Sequence, residues 1–149
     1  MGKEFINNKM TDKFFTVLVC GGRKYNNQKN VFDILDDVKQ TIENNNNILN
    51  DNMSLKIVNG GAKGADDIST KWAKQNNIYI DIFMADWKTH GVSAGPIRNR
   101  LMFETSKPNI IIAFNGGPGT KNMIELALRN QYIKEDLTED KECQILYQA

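Results

Sequence analysis

The chain has 149 residues, enough for one domain with a hydrophobic core, and its 40% hydrophobic and 25% charged residues are globular values. A formal net charge of +1 gives no electrostatic basis for binding nucleic acid or a membrane surface. No apolar run is long enough to span a membrane, and one histidine with two cysteines argues against a zinc site, so we expect a reduced cytoplasmic protein without metal or cofactor.

The chain alternates between strand and helix patterns. Residues 1–12 are polar and predict a flexible leader, and residues 13–149 are expected to form a single domain. An apolar run at 14–20 predicts a buried strand, and hydrophobic residues at helical spacing predict a helix over about 28–44. Further strands are predicted at 55–59, 78–83, 110–114 and 143–147, and further helices from about Ala65, from Pro96 to about Ser106, and from the turn after the fourth strand to about Gln131.

This order predicts the α/β class. Helices between consecutive strands imply right-handed crossovers, which produce a three-layer, doubly wound, mainly parallel sheet of about five strands with helices on both faces. The polar and apolar alternation of residues 78–83 is typical of a half-exposed strand at a sheet edge. Ligands of such folds bind at the C-terminal ends of the strands, near a switch in strand order.

Three predicted strands run directly into glycine turns. These glycines are Gly21 and Gly22 after the first strand, Gly60 and Gly61 after the second, and Gly116, Gly117 and Gly119 after the fourth. The last turn leads through Thr120 into a helix, and the free N–H groups of a helix N-terminus bind phosphate well. A tight turn with a helix cap is the structural alternative, but we expect the turns to converge on one anion site.

Charged side chains adjoin these turns. Arg23 follows the first glycine pair, and Arg98 is predicted in the first turn of a helix, where a positive charge opposes the helix dipole. Solvated surface arginines are common, but this placement favours pairing of Arg98 with a phosphate. The second turn carries Lys63 and Asp66, and Asp66 either accepts from ribose hydroxyls or favours the helix start.

The connection over residues 85–95 is long and lacks periodicity, which is typical of segments that carry function. Trp87 either stacks on a base or fills the core. His90 is a candidate acid or base, although a lone surface histidine more often has no role.

Four motifs in this order resemble the YspA-related branch of the SLOG superfamily, which also holds the LOG phosphoribohydrolases. They are Gly21-Gly22-Arg23-x-Tyr25, then Gly60-Gly61-Ala62-Lys63-Gly64-Ala65-Asp66, then Ala85-Asp86-Trp87 with Gly95-Pro96-x-Arg98-Asn99-x-x-Met102, and Ala113-Phe114-x-Gly116-Gly117-x-Gly119-Thr120. The resemblance runs from about Val17 to Ala127 and implies a Rossmann-like domain that binds a nucleotide or nucleotide-derived ligand.

The resemblance also implies a place in bacterial or phage conflict, as a sensor or sequestering protein in the cytoplasm, or in the host cytoplasm for a phage protein. We expect a nucleotide-type small molecule and further copies of the chain as partners, and an oligomeric interaction module with purely structural glycine turns is a weaker alternative. The predicted ligand contacts are Gly21, Gly22, Arg23, Gly60, Gly61, Lys63, Asp66, Trp87, Arg98, Asn99, Gly116, Gly117, Gly119 and Thr120.

Hydrolysis of the N-glycosidic bond of a nucleoside 5′-monophosphate, the LOG reaction, is the alternative function. The LOG signature is P-G-G-x-G-T-x-x-E, and in this chain Asn115 replaces the proline and Met123 stands where the glutamate belongs. Glu125 lies about 200° further round the helix, at ~100° per residue, so it does not substitute by simple slippage. Because an oxocarbenium-like transition state needs a nearby carboxylate, the candidates are Asp66, Asp86 and Glu125.

Overall fold

A computed structural model describes residues 13–49, 53–136 and 142–148, so the predicted leader over residues 1–12 lies outside the described part. In chain order the elements are β1 (Lys13–Cys20), α1 (Gln28–Leu49), β2 (Met53–Asn59), α2 (Ala65–Gln75), β3 (Tyr79–Ile82), α3 (Trp87–His90), a short 3-10 turn (Gly91–Ser93), α4 (Ala94–Ser106), β4 (Ile110–Phe114), α5 (Pro118–Arg129), β5 (Tyr132–Asp136) and β6 (Cys143–Gln148).

The strands form one sheet in the order β3-β2-β1-β4-β6-β5. β1 pairs in parallel with β2 on one side and with β4 on the other, and β2 pairs in parallel with β3. β6 runs antiparallel to both β4 and β5. The α/β class and the mainly parallel sheet are therefore confirmed, and the switch in strand order lies between β1 and β4.

Helices cover both faces of the sheet because side chains alternate along the buried strands. On one face, Val17 and Val19 of β1 pack in an apolar cluster with α1 and α2, including the fully buried Trp72. On the other face, Leu18 packs in a second cluster with α4 and α5, including the fully buried Met123. The three-layer, doubly wound arrangement predicted from the sequence is confirmed.

The predicted connection over residues 134–142 is wrong in its first part, because residues 132–136 form the edge strand β5 and the sheet has six strands instead of about five. Ile133, Lys134 and Glu135 are all exposed, so the segment lacks the apolar run that marks a buried strand. Charged residues are typical of edge strands, where they discourage pairing with another chain. The predicted edge position of β3 is confirmed.

Helix α1 also extends beyond the predicted end at residue 44 to Leu49. The asparagine run at 44–47 has low helix propensity, but the preceding turns supply a nucleated helix that continues through it. Among the described residues, no helix is long and apolar enough to cross a membrane.

Candidate functional site

A cavity of about 830 Å³ lies where the C-terminal ends of β1 and β4 meet. This volume falls within the range of about 300–1,000 Å³ that is typical of small-molecule sites. The predicted ligand contacts that line it are Gly21, Gly22, Arg23, Gly60, Asp66, Trp87, Arg98, Asn99, Gly116, Gly117, Gly119 and Thr120. Lys63 and Gly61 line a neighbouring cavity of about 330 Å³ instead. The three glycine turns thus converge on one place.

Some of these glycines are required because the turns touch each other. The N–H of Gly22 donates to the carbonyl of Asn115 at 2.9 Å, which joins the first and third turns. A Cβ atom at Gly116 would collide with Oγ1 of Thr120 and lie 2.6 Å from the nitrogen of Gly22. Gly64 has a φ of +82°, and a Cβ there would collide with the carbonyl of Gly22. These glycines set the shape of the cavity wall.

Gly117 and Gly119 differ from them, because a Cβ atom at either position would meet nothing within 4 Å. Both line the cavity at the start of α5, where the first intrahelical bond joins the N–H of Lys121 to the carbonyl of Gly117. The earlier N–H groups of a helix lack intrahelical acceptors. Thr120 is buried, and its hydroxyl makes no hydrogen bond with a described residue. This turn therefore presents unused donors to open space.

Asp66 is the one buried carboxylate that lines the cavity, and its side chain is only 5% exposed. Its Oδ2 accepts from the N–H groups of Gly60 at 3.1 Å and Ala62 at 3.2 Å. Burial raises the pKa of Asp66 from its ordinary value of 3.8 to about 6, outweighing these bonds and the positive charges of Arg98 and Arg23. Asp66 thus exchanges protons close to neutral pH.

Arg98 holds several loop ends together. Its Nη1 donates to the carbonyls of Gly60 at 2.6 Å and Phe83 at 3.3 Å, and its Nε donates to Oδ1 of Asn99 at 3.0 Å. Among the described residues, only Nη2 has no hydrogen-bond partner. Burial lowers the pKa of Arg98 from its ordinary value, although the nearby Asp66 carboxylate opposes this.

The predicted position of Arg98 in the first helical turn is wrong, because α4 begins at Ala94 and places Arg98 in its second turn. The unfavourable helix-dipole effect fades after the first turn, so it does not explain this arginine. The hydrogen bonds from Arg98 to the carbonyls at the ends of β2 and β3 explain the position of its side chain.

Asn99 is buried and joins α4 to the first turn of α5. Its Nδ2 donates to the carbonyl of Gly119 at 3.1 Å and to Oδ1 of Asn122 at 2.9 Å. Asn122 also lines the cavity, although it was not predicted from the sequence. Its spacing could have revealed it, because Asn122 is three residues after Gly119 and therefore lies on the same face of the helix.

Trp87 stands at the rim of the cavity, half exposed, and does not fill the core. The guanidinium carbon of Arg23 lies 5.2 Å from the centroid of its ring, a distance typical of a cation–π contact. Both residues also line the smaller cavity, so they lie where the two spaces adjoin.

The other candidate catalytic groups lie outside both cavities. Asp86 is exposed and caps α3, with Oδ1 accepting from the N–H of Thr89 at 3.1 Å, and hydrogen bonds from Thr89 lower its pKa. Glu125 is exposed on α5, and His90 is exposed at the end of α3. Met123, at the LOG glutamate position, is fully buried in the apolar layer. Within the described ranges, no group of His, Cys, Asp or Glu is arranged to hold a metal ion.

Comparison with known proteins gives two matches. The family model described as YspA, cpYpsA-related SLOG family matches residues 15–90, which include the first two glycine turns and Trp87. The Gene 61 protein of Mycobacterium phage D29 is 35% identical over 103 residues, which cover 66% of this chain and 74% of the relative. None of the solved structures shows a significant match.

Replacing Gly116 with alanine should destabilise the protein by roughly 1–3 kcal/mol, the usual cost of overpacking, because the new methyl group collides with two turns. The matched change Gly119→Ala should be neutral or stabilising by about 0.5–1 kcal/mol, because its Cβ meets nothing and alanine is the better helix former. Urea unfolding of both variants measures the difference. Equal effects would contradict the proposed contact between the turns.

Asp66 should make stability fall as the pH rises from about 4 to about 6. Its folded pKa lies above the ordinary value of 3.8, so the folded state binds more protons in this window and loses that advantage once the group ionises. The loss should be about 3 kcal/mol, since one pKa unit is about 1.4 kcal/mol. Asp66→Asn keeps an acceptor oxygen without the titration, so its unfolding free energy should change less over this window. Parallel pH profiles for the two proteins would refute the assignment.

Proposed function

Because the chain belongs to the YspA, cpYpsA-related SLOG family, we propose that it binds a nucleotide or nucleotide-derived ligand in the cavity between the ends of β1 and β4. The observation that carries this proposal is the open first turn of α5. Gly117 and Gly119 leave open the space that side chains would fill, and the hydroxyl of Thr120 has no hydrogen-bond partner among the described residues.

The phosphate of the ligand binds at this turn. The N–H groups that precede Lys121 lack intrahelical acceptors, and the helix dipole adds about 0.3–1 kcal/mol in favour of an anion. Thr120 supplies a hydroxyl donor, and the free Nη2 of Arg98, in the same cavity, supplies a positive charge. The remaining nitrogens of Arg98 keep the guanidinium fixed, which limits the entropy lost on binding.

The ribose binds near Asp66. A carboxylate repels a phosphate but accepts readily from sugar hydroxyls, so it belongs beside the neutral part of the ligand. Backbone N–H groups fix its Oδ2 and leave Oδ1 as the acceptor for the ligand.

The base stacks on Trp87. The ring is half exposed, and the Arg23 guanidinium lies against it. Nucleobases stack on exposed aromatic rings of this kind. Because Arg23 and Trp87 also line the smaller cavity, a bound base lies at the boundary between the two spaces.

We extend this proposal to a role in conflict between phage and bacterium, in which the protein senses or sequesters a nucleotide in the host cytoplasm. The match to a phage protein fits that location. Self-association as a homo-oligomer remains a prediction. A candidate surface for it is the outer side of α4, where Ile97 and Leu101 are exposed. A helix that is apolar on its outer side as well is typical of an interface.

Hydrolysis of an N-glycosidic bond is a second candidate, supported by the protonation behaviour of Asp66. A group with a pKa of about 6 in the cavity is suited to general acid or base catalysis near neutral pH. As a carboxylate, Asp66 can also stabilise positive charge at the anomeric carbon while the C–N bond to the base breaks. The oxygen of a water molecule then bonds to that carbon, and a proton from the water passes to the departing base. Asp86 and Glu125 do not line the cavity, so Asp66 is the strongest candidate for this role.

Nucleoside 5′-monophosphates should raise the melting temperature of the protein, and Thr120→Val should weaken their binding by about 10- to 150-fold. The change keeps the side-chain shape and removes the hydroxyl, and a hydrogen bond to a charged group contributes about 1.5–3 kcal/mol. Thermal shift followed by calorimetric titration measures both effects, with Thr105→Val, an exposed threonine of α4, as the matched control. No shift with any nucleotide at millimolar concentration would count against binding in this cavity.

The hydrolase candidate predicts release of free base from nucleoside 5′-monophosphates, measured by chromatography. Asp66→Asn should reduce the rate about 100-fold or more, because general acid–base catalysis contributes about 10²–10⁴. Asp86→Asn, which changes an exposed cap, serves as the comparison. If wild-type protein binds nucleotide but releases no base, hydrolysis is excluded and binding stands.

A further inference from the structure

A second concave surface adjoins the main cavity. It is a groove of about 700 Å³ between the loop after β1 and the outer side of α2. Its charged lining residues are Arg23, Lys24, Lys71, Lys74 and a single carboxylate, Asp67. These four cations and one anion give the groove a formal charge of +3, whereas the whole chain carries only +1.

The cations of this groove form no ion pair with an acidic residue within the described ranges. The ion pairs of the described residues are Lys29–Asp33, Lys39–Glu43, Lys56–Asp81 and Arg100–Glu104. Lys71 donates instead to the neutral Oε1 of Gln28 at 3.1 Å. Lys71 and Lys74 are three positions apart on one helix face, where like charges repel. An anion that enters the groove therefore relieves repulsion as well as gaining contacts.

The groove and the main cavity share one wall, formed by Arg23, Lys24 and Tyr25. This wall is fixed in place. The N–H of Tyr25 donates to the carbonyl of Gly22 at 3.1 Å, and the Tyr25 hydroxyl donates to Oε1 of Glu142 at 3.0 Å. A ligand that leaves the main cavity across this loop meets two cations on the wall before it reaches the lysines of α2.

We propose that the groove binds a second phosphate of the same ligand. Because the Arg23–Tyr25 wall lies between the two sites, the two phosphates are spaced as in a dinucleotide and not adjacent as in a nucleoside diphosphate. This inference rests on the proposed nucleotide binding in the main cavity. One phosphate binds at the first turn of α5, the chain of the ligand crosses the Arg23–Tyr25 wall, and the next phosphate binds Lys71 and Lys74. A nucleoside monophosphate has no second phosphate to place in the groove.

Calorimetric titration of the full chain with nucleoside 5′-monophosphates and the matching 5′-phosphorylated dinucleotides tests the proposal. The variant Lys71→Gln/Lys74→Gln removes two groove cations. The control Lys39→Gln/Lys134→Gln removes two cations that line neither cavity nor groove. Circular dichroism confirms that both variants are folded. Polyglutamate is titrated in parallel to detect an acidic protein partner.

Wild-type protein should bind a dinucleotide about tenfold more tightly than the monophosphate, and added salt should reduce this advantage by screening. In Lys71→Gln/Lys74→Gln the advantage should disappear while the monophosphate affinity stays unchanged, and the control should behave as wild type.

Equal affinities in wild type, or an advantage that survives in the groove variant, would overturn the groove proposal and leave nucleotide binding intact. If neither monophosphates nor dinucleotides bind, both the groove proposal and the proposal of nucleotide binding in the main cavity are overturned. Groove-dependent binding of polyglutamate without a dinucleotide preference would assign the groove to an acidic protein.

Discussion

The close contact between the ends of β1 and β4 is the constraint on which the rest of the site depends. Gly22 and Gly116 approach so closely that a methyl group on either backbone would displace the other turn. The bond from the Gly22 N–H to Asn115 satisfies polar groups that the contact would otherwise bury. Because these turns meet, the first turn of α5 opens into the same cavity as the loop after β2. A doubly wound sheet supplies the crevice at this point, and the glycines decide its width.

Most polar side chains around the cavity are engaged in holding it together. Arg98 fixes the ends of β2 and β3, and Asn99 fixes α4 against α5. Asp66 organises the backbone between Gly60 and Ala62. These bonds pre-organise the site, so a ligand loses less free energy to ordering when it binds. Among the described residues, the cavity groups without a hydrogen-bond partner include the Thr120 hydroxyl, Nη2 of Arg98 and Oδ1 of Asp66.

Charge is distributed unevenly between the two concave surfaces. The main cavity combines cations with the buried Asp66 carboxylate, an arrangement that suits a ligand with both phosphate and hydroxyl groups. The groove beside α2 is lined by four cations and one carboxylate, and its cations form no ion pair among the described residues. A near-zero net charge over the whole chain conceals this separation, because surface acids elsewhere balance the groove lysines. In the binding mode proposed above, the two surfaces contact different parts of one ligand.

The sequence by itself determined the α/β class, the parallel core, the edge position of β3 and the convergence of three glycine turns, because apolar runs, periodicity and the topology of crossovers are local signals. It missed β5, whose exposed, charged residues pair only because β6 lies beside them. Arg98 was identified because a positive charge in the first turn of a helix opposes the helix dipole. That reason does not apply, because α4 begins at Ala94 and Arg98 lies in its second turn. Only the tertiary structure decided that Asp66 is buried and titrates near pH 6, that Asp86 and Glu125 lie outside the cavity, and that Lys24 joins Lys71 and Lys74 in one groove. Burial, pKa and charge clustering depend on residues far apart in the chain, so no local pattern records them.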